Sequence, residues 1–255
     1  MPLETKQVLI TVKAYPNPSK KYGETVCCAG IDLEAGCWIR LYPVPYRDLD
    51  SSKQFKKYTI IQVRCWKASD DTRVESYKID ADSIEIVQWL DTASKWHQRG
   101  EIVLPTLSRS FCQVLEDTTS GRSLGVFRPR DVDFSWKKST PTNQAERDSC
   151  YAQLSFFDNK KNAIEEIPFD FYYHFRCAED KNCPGHKLAI IDWEIGQAYR
   201  DWRHTYKETD VLLTKIRQRW LTLMCAPAND ACFYVGNMVR FRDKFMVLGV
   251  FYPKK

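Results

Sequence analysis

The chain has 255 residues, 44% of them apolar and 28% charged, and carries a net charge of +5. That balance excludes a disordered chain and leaves room for two small cores. No apolar run approaches the about 18 residues of a membrane span, and the N-terminus opens on Glu4 and a strand pattern rather than a secretory signal, so a cytoplasmic protein without a membrane partner is expected.

Ten cysteines in a reducing cytoplasm are expected to be thiols rather than disulfides. Cys27, Cys28, Cys37, Cys65 and Cys112 lie within or beside apolar patterns and read as small buried hydrophobes. Thirteen Tyr, thirteen Phe and eight Trp stand among many lysines and arginines. Rings that stack on bases and cations that meet phosphates make a single-strand-binding surface. The same rings also suit the core of a β-rich fold.

In chain order, residues 7–14 read as a strand, followed by a loop with two prolines and two adjacent lysines, Lys20 and Lys21. Thr25–Ile31 and Cys37–Tyr42 form a hairpin around a turn at Asp32–Gly36. Tyr58–Trp66 is a fourth strand and Glu75–Ile79 a fifth. Residues 82–99 carry apolar groups at Ile84, Val87, Trp89, Leu90 and Trp96, which predicts a helix capped by Asp82 or Ser83 and ended by Gly100. A second short helix is expected over Pro105–Val114. Several short strands, hairpin turns and one helix describe a small β-barrel.

The run Glu24–Val44 carries a strand with Cys27, Ala29 and Gly30 in a Cys-x-Ala-Gly pattern, a turn, and then Trp38-Ile39-Arg40. It resembles the opening of the dual OB-containing domain proteins of prokaryotes. The resemblance implies an oligonucleotide-binding (OB) type of barrel and a setting in antiviral defence. It implies no catalytic residues.

Leu124–Phe127 is a further strand. Arg128, Arg130, Lys137 and Lys138 gather beside Phe134 and Trp136, a strip suited to phosphate contact or to a plain solvated face. Residues 136–150 read as a linker, 151–158 as a strand or short helix, and Asp170–Cys177 as a half-buried strand with alternating rings.

The densest chemistry lies in Cys177-x5-Cys183-x2-His186, across a Pro184-Gly185 turn. Zinc takes four soft or borderline ligands in a tetrahedron, and three of them within ten residues can converge on one ion. Cys225 is the leading fourth ligand, with Cys232 and His174 as alternatives. An iron–sulfur cluster is the alternative cofactor, and a loop that ligates nothing is the structural one. Loss of the metal is expected to unfold the C-terminal half and leave the barrel folded.

An apolar strand over Lys187–Ile191 leads to Asp192 and Glu194. Alternation would put both carboxylates on one face, where they could hold Mg²⁺ for phosphodiester cleavage. The lysine that restriction-type nucleases place nearby is missing from its expected position. Helix capping, or pairing with Arg200 or Arg203, accounts for the same acids. Residues 194–205 and 209–225 read as helices, the second with an apolar stripe of Leu212, Leu213, Ile216, Trp220 and Leu223. Two closing strands follow around a turn at Gly236-Asn237. The second, Lys244–Tyr252, is apolar enough to be central in a sheet.

These readings combine into an α+β chain: an OB-like β-barrel over residues 1–135, then a smaller metal-stabilised α+β domain over 151–255. The expected function is nucleic-acid binding, with Arg128, Arg130, Trp136, Lys137, Arg200, Arg203 and Arg217 as contacts. The alternatives are a metal-dependent nuclease using Asp192 and Glu194, and a non-catalytic adaptor for a protein partner. No phosphate-binding glycine loop or common hydrolase signature is present.

Overall fold

The computed structural model describes residues 2–14, 17–19, 23–139, 167–239 and 241–255. The stretch expected at 151–158 and most of the linker lie outside these residues. Strand β1 (Glu4–Lys13) pairs with β3 (Gly23–Asp32), and β3 with β4 (Cys37–Val44). Strand β4 runs parallel to β6 (Ser76–Ile79), β6 pairs with β5 (Thr59–Lys67), and β5 returns to β1. Five strands thus close a barrel of OB type. The short β2 (Asn17–Ser19) extends β3. Gly30 stands where β1 crosses closely, since a Cβ there would lie 2.0 Å from the Leu9 carbonyl oxygen.

The helix expected over 82–99 is a strand in its first half. Strand β7 (Glu85–Trp89) pairs with β5, and α1 (Ala93–Val103) begins only afterwards, with Gly100 inside it. The tertiary setting decides this: the start of β5 has a free edge, and five residues that pair with it satisfy more backbone groups than a solvated helical turn. Ser94, Lys95 and Trp96 hold left-handed backbone angles and turn Trp96 onto Tyr58 and Phe251, with ring centroids 5.6 and 5.4 Å away.

The second sheet has the order β8 (Leu124–Phe127), β12 (Cys232–Met238), β13 (Phe241–Phe251), β11 (His186–Ile190), β10 (Phe169–Cys177) and β9 (Pro129–Lys138). Strands β8 and β9, which a division at residue 135 gives to the barrel, therefore belong to this sheet, and Trp136–Lys138 are strand rather than linker. Three further helices are α2 (Phe111–Glu116), α3 (Trp193–Trp202) and α4 (Thr209–Arg217). Helix α4 continues as a π-helical stretch over Gln218–Leu223. Gly236 and Asn237 lie within β12 and make no turn.

Alternation along these strands sorts the side chains into three layers. Val8, Ile10, Cys28, Ile39, Leu41, Ile61 and Val63 fill the barrel. Their outward neighbours Leu9, Ala29, Trp38 and Ile60 meet Leu124, Val126, Tyr234, Leu248 and Phe251 of the second sheet. The opposite face of that sheet, with Phe175, Phe233, Val235 and Val247, packs on α2, α3 and α4. Strands β12 and β13 are thus buried on both faces, which is why Lys244–Tyr252 reads as nearly continuous apolar sequence.

The barrel and the second sheet share one core, so they should unfold together. Replacing Phe251, fully buried against Tyr58 and Trp96, with alanine should cost about 3–5 kcal/mol. Far-UV circular dichroism and tryptophan fluorescence should then report the same, lowered midpoint. Two separated transitions would show that the cores are independent.

Candidate metal centre and the Lys57–Asp192 junction

Three of the four expected ligands come together, and the fourth is a different residue. Cys112, Cys177, Cys183 and His186 place their ligand atoms within 4.8 Å of one another. Cys177 ends β10, His186 opens β11, and Cys183 lies in the turn between them. Gly185 takes φ +92° in that turn, a conformation that suits glycine and lets Cys183 fold back under the strands. Cys112 comes from α2, where Ser110 caps the helix by accepting from the Gln113 amide at 3.0 Å.

The cluster is close-set. The Sγ atoms of Cys112 and Cys177 are 3.9 Å apart, and His186 Nε2 lies 3.4 Å from Cys112 Sγ and 3.2 Å from Cys183 Sγ. The Phe111 amide donates to Cys177 Sγ at 3.3 Å, and the Cys177 amide to Cys183 Sγ at 3.2 Å. Burial alone would raise the Cys183 thiol, but the Cys177 and Gly185 amides hold it below its ordinary value. Burial pushes the Cys177 and Cys112 thiols up. It also lowers His186, which favours the neutral imidazole that ligates metals. Four such groups converging can hold one metal ion.

Cys225 is not part of this group. Its Sγ points to the Trp220 carbonyl at 3.5 Å, on the helical side of the core. Cys232 is buried in the layer facing the barrel, and His174 pairs with Ser135 at 2.7 Å. Cys112, expected as a buried hydrophobe, packs half-buried against the helical core and also brings its Sγ into the cluster. It was missed because it stands 65 residues before Cys177, with no local spacing to mark it. The only signal was that three clustered ligands require a fourth from elsewhere, and seven other cysteines competed for that place. Cys37, also expected inside, is exposed.

The two acids after β11 do not line up along a strand. Asp192 is the N-cap of α3 and accepts from the Glu194 amide at 3.1 Å. Its carboxylate is buried, and Lys57 Nζ from the barrel donates to both oxygens at 2.7 Å. Glu194 also reaches Lys57, at 3.3 Å. Burial pushes Asp192 up to about 6; Lys57 opposes this and Glu194 adds to it. Burial disfavours charge on Lys57, but Asp192 and Glu194 outweigh it and hold the ammonium well above its ordinary value. The Lys57 ammonium thus lies within ion-pair distance of both carboxylates.

Most of the expected phosphate contacts are engaged within the chain. Arg128 makes a two-pronged pair with Asp230 at 2.7 Å. Arg130 reaches Asp131 and the Cys177 carbonyl, Arg200 reaches Gln197, and Arg217 reaches Asp133 at 3.0 Å. Trp136 packs against the helical core, and Arg203 closes the C-terminus of α3. Lys137 is exposed and faces solvent, 3.9 Å from Asp170.

The chain belongs to the family described as Domain of unknown function (DUF8757), whose model matches residues 107–255. Residues 4–105 match a second model, Domain of unknown function (DUF8758). The junction falls between α1 and α2, so all four cluster residues lie in the DUF8757 portion. No curated protein matches the chain.

Two outcomes follow from this geometry. Cys112→Ser should release about one metal ion per chain, measured by elemental analysis, whereas Cys225→Ser should retain it; full metal content in the Cys112 variant would remove that residue from the shell. Lys57→Met should lower stability by about 3–5 kcal/mol because it strands a buried carboxylate. In denaturant titrations, adding Asp192→Leu should recover all but the about 1 kcal/mol lost with the helix cap.

Proposed function

We propose that this chain is a nucleic-acid-binding protein whose metal is a structural zinc ion held by Cys112, Cys177, Cys183 and His186, with no hydrolytic centre of its own. The observation that carries this reading is the complete ligand set: four protein ligands leave no open coordination position for a water or a substrate. Tetrahedral zinc, with bonds of about 2.3 Å to sulfur and about 2.0 Å to nitrogen, sets edges of about 3.8 Å between sulfurs and about 3.5 Å between sulfur and nitrogen. The separations of 3.9, 3.4 and 3.2 Å fall near these edges. So small an enclosure suits a single ion better than an iron–sulfur cluster. A thiolate shell also works best in a reducing compartment, which supports a cytoplasmic location.

Nucleic-acid binding is supported by the barrel type, the positive charge and the resemblance of residues 24–44 to dual OB-containing domain proteins. The defence setting is proposed on that resemblance alone. The nuclease alternative is weakened because Lys57 pairs with both Asp192 and Glu194. The adaptor alternative keeps one specific support: edge strand β7 leaves Ile86, Val87 and Trp89 between 43% and 51% exposed, a surface on which a protein partner could add a strand. Among the described residues, no helix is long and apolar enough to cross a membrane.

The zinc-loaded protein should bind labelled oligonucleotides without cleaving them, with or without Mg²⁺. Affinity should fall with salt, the logarithmic slope being about 0.7 per phosphate contact on a single strand. Salt-independent affinity or absence of binding would overturn the reading, and cleavage abolished by Asp192→Asn would replace it with the nuclease.

A further inference from the structure

OB barrels take oligonucleotides on the face of their second and third strands, here β3 and β4. In this chain that face is turned inward. Trp38 meets the Tyr234 ring at 5.8 Å, and the buried Arg40 donates to the Ser123 carbonyl and hydroxyl at 3.2 and 3.1 Å. If the chain binds nucleic acid, the ligand must use another surface.

We propose that the solvent-facing side of β9, β10 and β11 is a stacking platform for single-stranded nucleic acid, a proposal that rests on the nucleic-acid reading above. Alternation places Phe134, Phe171, Tyr173 and Phe175 toward the helical core. It therefore leaves Lys137 of β9, Tyr172, His174 and Arg176 of β10, and Lys187 of β11 on the opposite side. Tyr172 stands directly across from Ser135 on one neighbouring strand and Ala189 on the other. Both are small, which leaves the half-buried Tyr172 ring open above them. Two ammonium groups lie over the ring, Lys187 4.8 Å and Lys137 5.5 Å from its centroid, where a stacking base would displace them toward its phosphates.

A ring with two lysines over it is the pairing that single strands select. A base stacks on the ring, and the lysines follow the backbone phosphates on either side. Side chains raised from a sheet surface stack bases in the same way in other folds. His174 is fixed beside the ring by its hydrogen bond to Ser135 at 2.7 Å. The acids on this side have partners: Asp170 accepts from the Ser139 hydroxyl at 2.6 Å and lies 3.9 Å from Lys137, Asp133 pairs with Arg217 at 3.0 Å, and Asp131 with Arg130 at 2.6 Å. Among the described residues, Arg176 and Lys187 have no ion-pair partner, so their charge is available to phosphate.

The test is fluorescence anisotropy with the full-length, metal-loaded chain and labelled oligo-dT, oligo-U and duplex probes of about 20 nucleotides, longer than the ~4–16 nucleotides one OB unit covers. Tyr172→Leu should weaken binding of both single strands roughly tenfold, and Tyr172→Phe should keep it, because stacking needs the ring and not the hydroxyl. Lys137→Ala combined with Lys187→Ala should lower the logarithmic salt slope by about 1.4, or ~0.7 for each lost phosphate contact. Unchanged metal content and melting temperature establish that each variant is folded. If the wild type binds and these variants match it, the platform is wrong and the nucleic-acid reading survives. If the wild type binds none of the probes, both fall. Duplex bound as tightly as single strands would also overturn the platform.

Discussion

Burial of β12 and β13 on both faces is the constraint on which the rest of the structure depends. A sheet strand covered on one side alternates apolar and polar residues; one covered on both sides cannot. Phe233 and Val235 go to the helices, while Cys232 and Tyr234 go to the barrel. Every other element can be placed by which side of this pair it covers. The barrel supplies one lid from the outward residues of β1, β3, β4 and β5. Helices α2, α3 and α4 supply the other. Neither half could leave without exposing a sheet face of large rings to water, so the barrel and the sheet behave as one body.

Polar groups on this interface need partners, because a buried charge without one costs several kcal/mol. The chain meets this at three points. Lys57 joins Asp192. Arg73 donates to the Asn237 carbonyl at 2.7 Å. Glu75 accepts from the Ser123 amide and hydroxyl at 2.8 Å, while Arg40 donates to the same hydroxyl. Each pairs a barrel residue with a residue of the second unit, so a sliding of one against the other by a few ångströms would strand charges in the core. Apolar packing supplies the affinity between the units, and these charges set their register. Asp192 thus has a structural role, as partner of Lys57 and as cap of α3.

The sequence revealed most strands because their signal is local. Alternation in Phe169–Cys177 and the apolar run of Lys244–Tyr252 both reflect burial decided within a few residues. The stretch over residues 82–89 misled because its apolar spacing admits helix or strand, and only the open edge of β5 selects strand. The metal site was legible in part for the same reason. Cys177, Cys183 and His186 lie within one hairpin and announce themselves by spacing. Cys112 is brought to them by the packing of α2 on the sheet, a tertiary fact with no local trace. Lys57 was invisible in the same way: it meets Asp192 from 135 residues earlier, across an interface that no pattern in either segment encodes.

The metal cluster and the open sheet face share their strands, and that sharing gives the cluster a purpose beyond anchoring a loop. Cys177 ends the strand that carries Tyr172, and His186 precedes Lys187 on β11. Between them, residues 178–182 have no apolar anchor, so packing alone would leave this end of the hairpin free to fray. One ion held by Cys112, Cys177, Cys183 and His186 would tie the hairpin end to the core, because metal-binding energy in such a site becomes folding energy. A stacking ring is useful only if it is held still before the base arrives, since freezing a mobile side chain on binding costs affinity. The barrel face that related folds use for ligands has here been given over to holding the two units together. A metal held by Cys177 and His186 would brace the sheet face that carries Tyr172, and under the proposed function such an ion would govern binding without touching the ligand.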